Sequence, residues 1–169
     1  MSQLPYFTGY SLALQAQVQQ LLDEGRLSGL LLQNYPDCHQ FRSEQALYGY
    51  AMELKNRLLR TAPALSKAVY DPKIHVISQA LGQHTRISRI QGSQLKAKYE
   101  IRVATVFRQA PQAFLDMILI HELAHFKEID HNRAFYRLCR HMNPDYHQLE
   151  FDLRLYLTHL DRIGELYPR

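Results

Sequence analysis

A chain of 169 residues with 46% hydrophobic and 21% charged residues, seven Gly and seven Pro lies in the globular range, which excludes a disordered, collagen-like or low-complexity polymer. Its length suits one domain over residues 1–169, and its net charge of +4 permits an acidic partner without requiring nucleic acid. Two cysteines far apart in sequence, Cys38 and Cys139, suggest neither a disulfide framework nor a CxxC metal clip.

Leu12, Leu14, Val18, Leu21 and Leu22 recur at helical spacing and predict a first helix, with a short second turn at Leu27 and Leu30 to Leu32, broken near Gly25 and Gly29. Ser43 is placed to cap a second helix whose stripe, Leu47, Tyr50, Ala51, Leu54 and Leu58, lasts until Pro63. Residues 1–70 are thus expected to be helical. After Pro72 the pattern changes to β-favouring runs: Ile74, Val76 and Ile77; Thr85, Ile87 and Ile90; Tyr99, Ile101, Val103 and Thr105. Three antiparallel strands are expected, the third with Lys98, Glu100 and Arg102 on a wet face and Tyr99, Ile101 and Val103 on a packed one.

Pro111 suits the start of a helix that Phe114, Leu115, Met117 to Ile120, Leu123, Ala124 and Phe126 make apolar nearly all round, so it should be central and buried, ending near Ile129-Asp130. Another helical turn or two is expected from Arg133 to Met142, closed by Asn143-Pro144. A last helix follows over 146–162 on the stripe Leu149, Leu153, Tyr156, Leu157 and Leu160. The fold class expected is α+β: a short antiparallel sheet and metal-binding core over 72–142, flanked by N- and C-terminal helices. No apolar run approaches the ~20 residues of a bilayer span. The opening Met1-Ser2-Gln3-Leu4-Pro5-Tyr6 has no leader character, so a cytoplasmic location without a membrane partner is expected.

The central helix carries His121-Glu122-Leu123-Ala124-His125, the HExxH pattern of zinc hydrolases. At ~100° per residue, side chains four apart point within ~40° of each other, so both imidazoles can reach one ion. Glu122 is offset by one residue and can meet a water at that ion as general base. A chain of this composition holds HExxH by chance in about 2% of draws, falling to roughly 0.1% when His131 is also required.

A catalytic zinc takes a third protein ligand. His131, six residues past His125, has the spacing of the HExxHxxGxxH class, but a continuous helix would turn it ~240° away, so the helix must break before it. Glu128 stands where that class has Gly, which calls for a different turn. Asp145 and Glu150 are alternatives, because a carboxylate on a later helix serves in the thermolysin-like class. Tyr136 or Tyr146 could donate to an oxyanion if the fold brings them near, and His141, His147 and His159 suit surface or helix packing.

The run from His121 to His131, with Asn132, Ala134-Phe135-Tyr136, Tyr146 to Asp152 and Leu155, closely resembles the YgjP-type metal-dependent hydrolases. The likeness continues upstream through Lys73 to Val76, Ser88 to Gly92, Leu95 to Lys98 and Glu100 to Arg108, and covers essentially the whole chain. It implies a minimal zincin-like fold, one Zn²⁺ on His121, His125 and His131, and Glu122 as catalytic base. The group is classed with metallopeptidases by motif, while its name is also attached to a UTP pyrophosphatase activity releasing UMP and diphosphate. More distantly the chain is similar to SprT and WLM-type proteases. Three imidazoles do not select zinc absolutely, so another divalent ion could serve.

Two substrates therefore stand open. A peptide could lie along an exposed strand such as 99–105 by β-augmentation. A nucleoside triphosphate needs cations around its phosphates. Arg86, Arg89, Lys98 and Arg102, with Lys96 and Arg108, face the single acid Glu100 over this stretch, a local excess of five positive charges. The same stripe could be a solvated strand face that discourages aggregation. A nucleic-acid or protein-binding module with a structural zinc is the non-enzyme alternative, although such sites usually have four Cys-rich ligands and no nucleic-acid motif is present.

Overall fold

The computed structural model describes residues 4–75 and 99–168. After a short 3₁₀ turn at Pro5–Phe7 come α1 (Leu12–Asp23), α2 (Leu27–Asn34) and α3 (Glu44–Leu58). Ser11 and Ser43 cap α1 and α3, their hydroxyls accepting from the amides of Leu14 (3.2 Å) and Ala46 (3.1 Å). The break between α1 and α2 falls at Gly25, which adopts φ 66°, whereas Gly29 lies inside α2 and interrupts nothing.

The strands depart from expectation. β1 (Lys67–Asp71) lies before Pro72, inside the stretch expected to be helical. Its Ala68, Val69 and Tyr70 are all buried, so it has no alternation to announce it. β2 (Glu100–Ala104) falls where the third strand was expected, with Ile101 and Val103 buried and Glu100 and Arg102 partly exposed. The pairing corrects the antiparallel reading: β1 and β2 run parallel, with Lys67 opposite Glu100 and Asp71 opposite Ala104. A parallel pair needs a crossover of a dozen or more residues, and residues 72–99 supply that length. Ile74 belongs to the turn after β1, its amide reaching the Asp71 carbonyl at 3.3 Å, while the expected strands at 76–77 and 85–90 lie outside the described residues.

A second 3₁₀ turn, Thr105–Gln109, leads to Pro111 and into α4 (Gln112–Ala124), whose residues from Met117 to Ala124 are all buried. This helix is the hub, packed against β2, α3 and the two helices that follow, α5 (Arg133–Met142) and α6 (Tyr146–Arg162). Among the described residues the fold is therefore a mixed α+β arrangement, mostly helical, with a two-stranded sheet on the central helix. No described helix is long and apolar enough to cross a membrane.

Candidate metal centre

The HExxH helix stops earlier than its apolar pattern suggests. α4 ends at Ala124, His125 is its C-cap, and the amides of Phe126 and Lys127 turn back to the carbonyls of Leu123 and Ala124. Tightened bonds of this kind close a helix without a left-handed residue, and none of the described non-glycine residues has positive φ. Glu128 thus stands in a turn that needs no glycine. The chain comes back through Asp130 to His131, and Asn132 immediately starts α5 by accepting the Phe135 amide at 2.9 Å.

This turn brings three ring nitrogens together. His125 Nε2 lies 3.3 Å from His121 Nε2 and 3.0 Å from His131 Nε2, and the third edge is 3.2 Å. These contacts cannot all be hydrogen bonds, because a neutral imidazole has one N–H. His125 faces the Glu128 carbonyl with Nδ1 at 3.0 Å, and a carbonyl only accepts, so the proton sits there and Nε2 presents a lone pair. Three nitrogens set tetrahedrally ~2.0–2.1 Å from a zinc would lie ~3.3 Å apart. Edges of 3.0–3.3 Å fit that donor set, and the three histidines could hold a metal ion.

The surroundings are apolar. Phe135, fully buried, lies beneath all three imidazoles with ring centroids 4.9, 4.5 and 4.9 Å from His121, His125 and His131. Tyr146 closes the side of His121, its hydroxyl 2.8 Å from Nδ1. Tyr136 lies tilted beside His131, ring centroids 6.3 Å apart. Glu122, the expected base, is 8% exposed and follows His121 on the same buried helix. Burial raises the Cys139 thiol pKa to about 12, and the cluster of facing ligand atoms comprises His121, His125 and His131.

The alternative third ligands are elsewhere. Asp145 is the exposed N-cap position of α6, and Glu150 pairs with His147 at 2.8 Å. His159 is buried between Ser28 and the Gly164 carbonyl, a packing role, and His141 is exposed at the end of α5. Of the basic stripe, Arg102 reaches Asp71 at 3.1 Å and Glu100 at 3.4 Å, and Arg108 lies over the Tyr70 ring at 5.0 Å. The Lys73 amide and the Arg102 guanidinium hold Asp71 below the ordinary carboxylate range. Arg86, Arg89, Lys96 and Lys98 lie outside the described residues.

Sequence reasoning missed Phe135 at the centre and the contact that Tyr146 makes there. Phe135 had a local signal, standing three residues past a capping Asn and four past His131. Tyr146 was considered as an oxyanion donor, and the structure puts its hydroxyl on the outer nitrogen of His121 instead.

A buried HExxH helix joined by a third histidine defines a class, and comparison agrees. The family described as YgjP-like, metallopeptidase domain, matches residues 44–156, from the start of α3 into α6, and the chain belongs to it. It is a hydrolase. A particular relative is the UTP pyrophosphatase of Escherichia coli (strain K12), 57% identical over 160 residues that cover 95% of this chain and 96% of the relative. No solved structure matches the chain.

Proposed function

We propose that this hydrolase is a zinc-dependent nucleoside-triphosphate pyrophosphatase that cleaves UTP to UMP and diphosphate, folded as one zincin-like module and working in the cytoplasm. The observation that carries the substrate is the 57% identity to a UTP pyrophosphatase across nearly the full length of both chains. The chemistry rests on the triangle of imidazole nitrogens. Zinc on His121, His125 and His131 would supply Lewis-acid polarisation of a phosphoryl oxygen and acidify water toward ~7.

The chain's own residues do the rest. Glu122 takes a proton from the attacking water as its oxygen bonds to the α-phosphorus, the bond to the bridging oxygen breaks, and diphosphate leaves. Glu122 is 8% exposed and follows His121 directly on the same helix, which sets it beside the site. Phe135 excludes water beneath the imidazoles, and the Glu128 carbonyl holds the His125 ring in the tautomer that turns Nε2 inward. Arg86, Arg89, Lys98 and Arg102 are assigned to the polyphosphate, Arg102 already oriented by Asp71 and Glu100.

The family's metallopeptidase description favours a second reading, in which the same water attacks a peptide carbonyl and Glu122 passes its proton to the leaving amine. Hydrolase membership, and a three-nitrogen set that leaves a position open, speak against a closed structural-zinc binding module. Zinc-loaded protein tested on a nucleoside-triphosphate panel beside an unstructured-peptide pool, with Glu122→Ala as control, decides. Diphosphate release favouring UTP and lost in Glu122→Ala is expected; Glu122-dependent peptide cleavage without it would install the peptidase.

A further inference from the structure

We propose that Tyr146 is a positioning residue for the metal centre: its phenol oxygen takes the outer N–H of His121, locks that ring with Nε2 turned inward, and thereby sets the affinity of the site. The proposal rests on the three-histidine metal reading above.

Tyr146 is the first residue of α6, set there by the Asn143-Pro144-Asp145 turn, and its amide bonds the Asn143 carbonyl at 3.0 Å. Its side chain is wholly buried. A phenol oxygen taken out of water costs stability unless it is paired, and here the partner is His121 Nδ1 at 2.8 Å, 25 residues away in sequence. The direction of that bond follows from the triangle. His121 Nε2 lies 3.3 Å and 3.2 Å from the other two Nε2 atoms, and a nitrogen aimed at a shared metal carries no proton. The ring proton therefore sits on Nδ1 and is donated to the Tyr146 oxygen.

The hydroxyl is buried on α6 with the His121 ring as its hydrogen-bonding partner. The His121–Tyr146 bond thus ties α4 to α6 at the triad. His125 has its counterpart in the Glu128 carbonyl, a group that can only accept. A hydroxyl can donate or accept, and with the metal-facing Nε2 unprotonated it is the Tyr146 oxygen that accepts from His121 Nδ1. Outer partners of this kind commonly change metal affinity 10- to 100-fold.

The test is zinc affinity, measured by competition with a chromophoric chelator in wild type, Tyr146→Phe and His131→Ala, alongside thermal unfolding of the metal-free proteins. Wild type is expected to bind one zinc per chain and His131→Ala to lose it. Tyr146→Phe, which keeps the ring but removes the oxygen that accepts from His121 Nδ1, is expected to bind roughly 10- to 100-fold more weakly while still unfolding cooperatively. A merely space-filling tyrosine would leave affinity unchanged, and wild-type affinity in Tyr146→Phe overturns the proposal. A wild type that binds no zinc, or a His131→Ala that binds it as tightly, removes the three-histidine site itself. Should Tyr146→Phe not fold, ring ¹⁵N NMR of zinc-loaded wild type decides: a proton on His121 Nδ1 with the metal on Nε2 supports the assignment, and the reverse overturns it.

Discussion

Three imidazoles whose Nε2 atoms lie within 3.3 Å of one another would repel if left alone, and they demand either a shared proton or a cation. The cation reading separates the roles of neighbouring residues on one helix. Glu122→Gln is expected to lower kcat on UTP by ~10²–10⁴ while zinc affinity stays within a few-fold of wild type, read by steady-state kinetics and chelator competition. Phe135→Ala should cost ~3–5 kcal/mol in urea unfolding, because a fully buried ring touching all three histidines leaves a cavity that its rigid neighbours cannot close. At this scale the sequence was most legible. His121 and His125 share a face for local helical reasons, and His131 was reachable through spacing alone. Tyr146 was harder to place, since its contact with His121 spans 25 residues and depends on how α6 packs on α4.

At the scale of elements, the segment from His125 to Asn132 carries the site. It leaves α4 by short-range backbone bonds, lends the Glu128 carbonyl to His125, and ends on the Asn132 cap one residue after His131. Asn132→Ala should therefore cost about 1 kcal/mol, a Tm drop of ~2–4 °C for a chain of this size, and should also weaken zinc binding because His131 loses its anchored neighbour. An unchanged zinc affinity would separate the cap from the site. The Ser43 cap, the buried central helix and the bounds of α5 could be read from composition and periodicity. The apolar pattern did not show where α4 would stop, because Phe126 continues the hydrophobic face after the helix has ended. β1 was hidden for another reason. Its partner lies 33 residues away, and a strand buried at three consecutive positions carries no period of two.

For the molecule as a whole, the polar links that tie α4 to its surroundings make stability depend on pH. Asp116 on α4 accepts from the Tyr50 hydroxyl of α3, beside Gln112 and Arg57, and burial raises its carboxyl above the ordinary range despite Tyr50 and Arg57. A raised folded-state value means that this group's contribution is complete below the unfolded carboxylate pKa of ~3.9 and is lost as pH climbs through the folded value. Asp116→Asn can still accept from Tyr50, so its stability relative to wild type should grow as pH rises from about 4 toward neutrality. Urea unfolding of the metal-free proteins across that range checks this, and a constant difference would refute it.

The central claim, that these three histidines and Glu122 form a metal-dependent UTP-hydrolysing centre, is tested most directly by titrating zinc into metal-free protein while following UMP and diphosphate release. No turnover is expected without metal, full activity at one zinc per chain, and a Glu122→Gln protein that takes up the same zinc yet stays inactive. Turnover in the metal-free protein, or a Glu122→Gln protein as fast as wild type, would contradict it.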